Sequence, residues 1–207
     1  MEWDNILPTI IMLLAAIGLP LALKSRKKGG QKKTDELYQH LQGIGIRASI
    51  FEKDISLEKT AEKRSKKQKS VGTIKLTNRE IDSIDVTGIA SQYGVNYFLD
   101  FLVRSASLTG SESKKKTRMV KKRSSTLWGK TVDIEWEGNE FLAQKLNFDY
   151  RLKDRLLQAD LKALHSKIEI FPEPENKHVR IRTSYFLPAP DLFEILDNIA
   201  RHIKSGW

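Results

Sequence analysis

The 207-residue chain has no cysteine. Disulfides, thiolate zinc sites and cysteine nucleophiles are therefore excluded, and the composition fits a reducing compartment without requiring one. Its four histidines, His40, His165, His178 and His202, form no HxH, HxxxH or HExxH pattern, so zinc chemistry has no ligand set. Gly43-Ile44-Gly45 lacks the third glycine of a dinucleotide fingerprint. The phosphate-loop pattern and the G-x-S-x-G nucleophile turn are also missing. Asp82 with Asp85, and Asp154 with Asp160, read as exposed turn or helix carboxylates rather than catalytic pairs. No internal repeat or heptad array is visible. The sequence names no catalytic residue, no metal and no cofactor, and on these grounds it reads as non-enzymatic.

Charge is missing from one long stretch. Ile6 to Leu23, ILPTIIMLLAAIGLPLAL, holds eighteen consecutive uncharged residues. As a helix it spans roughly 27 Å, close to the hydrocarbon thickness of a bilayer. Pro8 falls in the first turn, where a missing N–H is harmless, and Gly18 and Pro20 lie where the helix would end or kink. A cleaved signal peptide would begin with positive charge and end at small residues. Here Glu2 and Asp4 precede the run and the positive cluster follows it. A core helix would have to hide apolar residues on every side. The run is read as a single membrane anchor over residues 1–24, with Trp3 at the interface. The basic residues on its C-terminal flank predict an N-terminus outside and a large cytoplasmic domain.

Positive charge is concentrated elsewhere. Lys24–Lys33 carries +6, Glu58–Lys69 carries +4 and Lys114–Arg123 carries +7, together +17, so the remaining residues bring −7 to the overall +10. The folded body is mildly acidic and the bursts are its candidate contact residues: Lys24, Arg26, Lys27, Lys28, Lys32 and Lys33; Lys66 and Lys67; Lys114, Lys115, Lys116, Lys121, Lys122 and Arg123. Three readings compete for them: solvated loops, contacts to anionic lipid head groups, and an RNA or ribosome contact. Lysines near an anionic surface contribute about 1 kcal/mol each. No aromatic residue interleaves them, which removes the stacking expected of a single-strand nucleic-acid binder. Trp128 reads as a core or edge residue.

After the anchor, residues 25–33 read as a basic, flexible linker around Gly29-Gly30-Gln31. Residues 34–207 are long enough for one core, strand-rich over 45–149 and helix-hairpin-helix over 150–205. Thr34 is a candidate cap for a short helix over Asp35–Leu41, and Ile46–Glu52 reads as a strand. Glu58–Ser70 reads as an exposed loop. Strands are expected at Ser70–Leu76 and Asp85–Ser91, with Asn78 capping a helical turn between them. Val95–Arg104 alternates Val95, Tyr97, Leu99, Phe101 and Val103 against a mixed face. Thr117–Ser124 is expected to pair back toward that strand. Lys130–Glu137 reads as a strand, Gly138-Asn139 as a hairpin turn, and Glu140–Asp149 as the returning strand. Leucines at helical spacing mark Tyr150–Leu164. A hairpin over Lys167–Phe171 and His178–Phe186 precedes a helix after Pro190, with Gly206 as its stop. The class is α+β: an N-terminal transmembrane helix, then an antiparallel sheet with helices on one face. Asp133, Glu135 and Glu137 share one strand face. They read as a solvent ladder opposite His178, Arg180 and Arg182 rather than a cation site.

The C-terminal half, through Val132-Asp-Ile-Glu-Trp136, Asn139-Glu-Phe141, Arg155-Leu-Leu157, the strands Ile168–Phe171 and Val179–Ile181, and Asp191–Ile203, resembles uncharacterised prokaryotic membrane-anchored proteins. The resemblance covers about a third of the chain and departs from the pattern at Phe141-Leu142, where a Phe-Asp pair is usual. It implies membrane attachment and architecture, and no activity. The leading expectation is a membrane-tethered cytoplasmic binding or scaffolding protein, with the bilayer, its anionic head groups and a further protein as partners. The alternative is a membrane-recruited RNA- or ribosome-binding module.

Overall fold

A computed structural model describes residues 29–51, 68–105, 115–124, 131–159 and 167–206. The apolar run 6–23, the residues that follow it up to 28, the lysine-rich 58–67, the connection 106–114 and Trp128 lie outside them. Eight strands form one antiparallel sheet: β1 Ala48–Phe51, β2 Gln68–Leu76, β3 Ser83–Ser91, β4 Gly94–Arg104, β5 Thr117–Arg123, β6 Thr131–Glu137, β7 Glu169–Glu173 and β8 His178–Ser184. Four helices accompany it among the described residues: α1 over 29–43, α2 Glu140–Phe148, α3 Tyr150–Gln158 and α4 Pro190–Lys204. No described helix is long and apolar enough to cross a membrane.

The strand order is β1-β2-β3-β4-β8-β7-β5-β6. Register follows the alternation of side chains. Ile84, Phe101 and Ile181 stand in one row, and Val86, Leu99 and Thr183 in the next. This face is buried, and Leu37, Leu41, Leu142, Leu146, Leu152, Leu156, Leu192, Phe193, Leu196, Ile199 and Ile203 of the helices join it in one core. In α4 the apolar residues Leu192, Ile195, Leu196, Ile199 and Ile203 form one buried stripe at helical spacing.

Several expectations change. Gly29 and Gly30 are helical rather than linker, and Thr34 lies inside α1, its hydroxyl donating to the Gly30 carbonyl at 3.3 Å. Glycines weaken a helix by about 1 kcal/mol each, but here the absent side chains permit close packing: Gly30 rests against Val71 and Gly29 against the Tyr97 hydroxyl. Residues 77–80 bend without forming a helical turn, and Asn78 adopts φ 60°. The capping group at that bend comes from α4, where the Asp197 carboxylate accepts from the N–H groups of Glu80 at 2.9 Å and Ile81 at 3.1 Å.

Gly138-Asn139 turns the chain into a helix, not a second strand. Gly138 holds φ 132° with the Lys116 carbonyl 2.0 Å from where a Cβ would sit. Asn139 caps α2, its side chain accepting from Leu142 N at 3.0 Å. Leu142, Ala143 and Leu146 are then buried at helical spacing. β6 is left at the sheet edge, where Asn147 of α2 takes the place of a strand. Its side chain accepts from Trp136 N at 2.8 Å and donates to Trp136 O at 3.0 Å, covering part of an otherwise open edge. The strand from Thr117 does not pair with β4. β8 occupies that position, and β5 joins β6 along its length and β7 at Thr117 and Arg118 only.

Between Ser70 and Gly72 the β2–β3 register shifts by one residue. The bulge turns both Val71 and Gly72 toward α1, where Val71 meets Gly30 and Gly72 meets Thr34. It also directs Ser70 and Thr73 to the opposite face, where both hydroxyls donate to Asp85.

Candidate functional site

Among the described residues, the expected basic contact residues do not converge. Lys24, Arg26, Lys27, Lys28, Lys66, Lys67 and Lys114 lie outside the described residues. Lys32 is exposed near the start of α1. Lys33 pairs with Glu36 at 2.8 Å and lies over the Tyr185 ring at 4.6 Å. That lysine holds the Glu36 carboxyl below its ordinary range.

The third cluster, Lys114–Arg123, is mostly strand. Lys115 and Lys116 are exposed ahead of β5, and Lys116 pairs with Glu169 at 2.9 Å. Lys121 faces the core side opposite Ile134, where burial and then Arg123 depress its pKa. Lys122 pairs with Glu135 at 2.6 Å, which raises its pKa. Arg123 is exposed at the strand's end.

The acidic ladder on β6 has partners other than those expected from the sequence. Arg118 pairs with Glu137 at 2.9 Å, Lys122 with Glu135, and Lys153 of α3 with Asp133 at 2.7 Å. His178, Arg180 and Arg182 are not opposite it, because β8 stands between β4 and β7. Each carboxylate of the ladder is engaged by a cation, and no trio of metal-ligating side chains is grouped among the described residues.

The basic alternation of β8 instead meets Asp100 on the outer face of the sheet. Arg182 donates to Asp100 through Nε and Nη2, both at 2.7 Å, and Thr87 donates to the same carboxylate at 2.8 Å. Arg180 donates to Glu173 at 2.8 Å, with its Nη1 3.6 Å from Asp100. His178 Nε2 lies 2.9 Å from the Glu173 carboxylate. Phe171 and Phe98 supply ring faces to the guanidinium groups, at 4.8 Å from Arg180 and 5.4 Å from Arg182. Asp85 stands directly across from Asp100 and is buried, contrary to its reading as an exposed carboxylate. The whole arrangement is a desolvated ion network on one sheet face. Its acids and bases neutralise one another, and its chemistry is positional: the bidentate geometry fixes the β4–β8 register. The sequence signal was the second face of Val95–Arg104 together with His178, Arg180 and Arg182, but these become neighbours only through strand order.

A second missed feature is apolar and exposed. Phe141 and Phe148 on α2 and Tyr150 at the start of α3 are 62%, 64% and 68% exposed. Residues 141 and 148 are two helical turns apart and therefore share a face. Beside them Gln144, Lys145, Phe148, Asp149 and His202 line an open depression of about 540 Å³. Asp149 caps α3 through Leu152 N at 2.9 Å and meets His202 Nε2 at 2.8 Å. Burial opposes ionisation of Asp149, but the Leu152 N–H and the His202 ring outweigh it and lower the pKa.

Comparison with protein-family models, with curated proteins and with solved structures finds no match to the chain.

Proposed function

We propose that the chain is a membrane-tethered binding or scaffolding protein whose α+β domain is held at the cytoplasmic face by the apolar run 6–23. The observation that carries this reading is the continuity between that run and the body of the domain. Six residues after Leu23 the chain is already helical, and Gly29 and Gly30 are packed on Tyr97 and Val71 of the sheet. A tether of that length couples the run to the domain instead of leaving it on a long leash. Exposed Phe141, Phe148 and Tyr150 supply an apolar surface of the kind that supports a protein partner. The bilayer and its anionic head groups are the other partners proposed. The ion pairs of Lys116, Arg118 and Lys122 weigh against the alternative, RNA or ribosome binding through Lys114–Arg123.

Alkaline carbonate extraction of membranes carrying the full-length chain tests the tether. Retention in the pellet is expected, with the domain digested by protease in inside-out vesicles and protected in right-side-out ones. Release into the supernatant overturns the proposal, and the opposite protease pattern overturns the orientation.

A further inference from the structure

The tether also constrains which end of the domain meets the lipid. α1 enters over the sheet at the level of Val71, Gly88 and Tyr97, near one end of the strands. From Leu23 to Gly29 is six residue steps, an extended reach of about 20 Å at most. Beyond that level, at the same end of the strands, stands Tyr93. It lies in the two-residue loop of the β3–β4 hairpin, where Ser91 pairs with Gly94. Four residue steps along the strand separate it from Tyr97, about 13 Å of additional projection. Tyr93 is 92% exposed, the most exposed large hydrophobic side chain among the described residues. A tyrosine on a turn gains nothing from the core, but its amphipathic ring suits the head-group layer. Exposed Lys32 on α1 and Lys69 on β2 lie at this same end, Lys69 level with Gly88 and Tyr97. Both cations suit an anionic surface.

We infer that the β3–β4 hairpin end of the sheet rests on the bilayer that holds the tether, with the Tyr93 ring in the head-group layer and Lys32 and Lys69 above it, attracted across the intervening water by the anionic surface. This rests on the tethered reading above and adds to it an orientation: the strands stand end-on to the membrane, and the β7–β8 turn at Asn176 points away. Hairpin tip and far turn are separated by about eleven strand residues, roughly 35 Å, far more than the thickness of the head-group layer.

The absence of native cysteine makes the test direct. Full-length Tyr93→Cys, Asn176→Cys and Tyr150→Cys variants are labelled with an environment-sensitive fluorophore. They are then reconstituted in phosphatidylglycerol-containing vesicles that carry a head-group nitroxide quencher. Quenching at position 93 several-fold stronger than at 176 and 150, with blue-shifted emission only at 93, is the expected result. Carbonate-resistant flotation of the same vesicles reads the tether separately. Resistant flotation with position 93 quenched no more than 176, or with position 150 quenched most, overturns the orientation and leaves the tether standing. Loss of the chain in carbonate overturns both. Quenching at 93 that persists unchanged when phosphatidylglycerol is replaced by phosphatidylcholine supports the depth of the hairpin tip and overturns the part assigned to Lys32 and Lys69.

Discussion

Thr34 of α1 sits directly over Gly72 of β2, so closely that a Cβ on residue 72 would lie 2.5 Å from the Thr34 hydroxyl oxygen and 2.6 Å from its methyl carbon. Neither atom can swing away, because the β-branched side chain has a restricted χ1 in a helix and its hydroxyl is bonded to the Gly30 carbonyl. Gly72→Ala is therefore expected to destabilise the domain by about 1–3 kcal/mol, the usual range for overpacking. Adding Thr34→Ala should recover part of that loss. Urea unfolding of the parent and the two variants decides it, and a Gly72→Ala protein as stable as the parent would contradict the interlock.

Asp100 is wholly buried and accepts from Arg182 and Thr87. Removing it by Asp100→Ala strands a desolvated guanidinium and should cost about 3–5 kcal/mol. The paired replacement Asp100→Leu with Arg182→Met removes both charges and is expected to cost clearly less than Asp100→Ala alone. Denaturant midpoints measure the contrast. Equal losses in the two proteins would mean that the pair is not the source of the penalty.

At the β6 edge, Asn147→Ala leaves the N–H and C=O of Trp136 without the partners they have in the native fold. The expected loss is about 1–3 kcal/mol. The uncovered edge should also raise self-association, seen as concentration-dependent sedimentation. A monodisperse variant of unchanged stability would rule the clamp out.

Asp149 gives the domain a predicted acid sensitivity. Its folded pKa is lowered, so the stabilisation it contributes is present above the unfolded value of about 3.9 and is lost as pH falls through the folded value. Asp149→Asn preserves an N-cap acceptor for Leu152 but removes the charge facing His202. The gap between parent and Asp149→Asn should be widest near neutral pH and close below pH of about 4. Thermal melts across that range test it. A gap that widens on acidification would reverse the sign and the assignment.

Elements with one clear period were legible in the chain. Val95–Arg104 alternates cleanly, Leu192–Ile203 repeats at helical spacing, and the prolines around Asn176 mark the β7–β8 turn, and all three are found. α2 was obscured because Phe141 and Phe148 place apolar residues on its exposed side, which blurs the helical stripe. α1 was shortened because a pair of glycines resembles a linker until Val71 and Tyr97 are seen beside it. The ion network was not legible for a different reason. Asp100 and Arg182 are 82 residues apart, and nothing local states that β8 is the strand beside β4. The bulge at Val71 was likewise hidden, since one extra residue in a strand changes no composition.

The placement of β8 sets an order for biosynthesis. The β1–β4 meander and the β5–β6 pair are translated before the segment that joins them. Until β8 leaves the ribosome, Leu99, Phe101 and Asp100 of β4 face no neighbouring strand on one side. Completion of the sheet is thus a late event that depends on long-range pairing, which is intrinsically slow. A nascent chain truncated before Glu169 would present the β4 border to any other strand that reaches it.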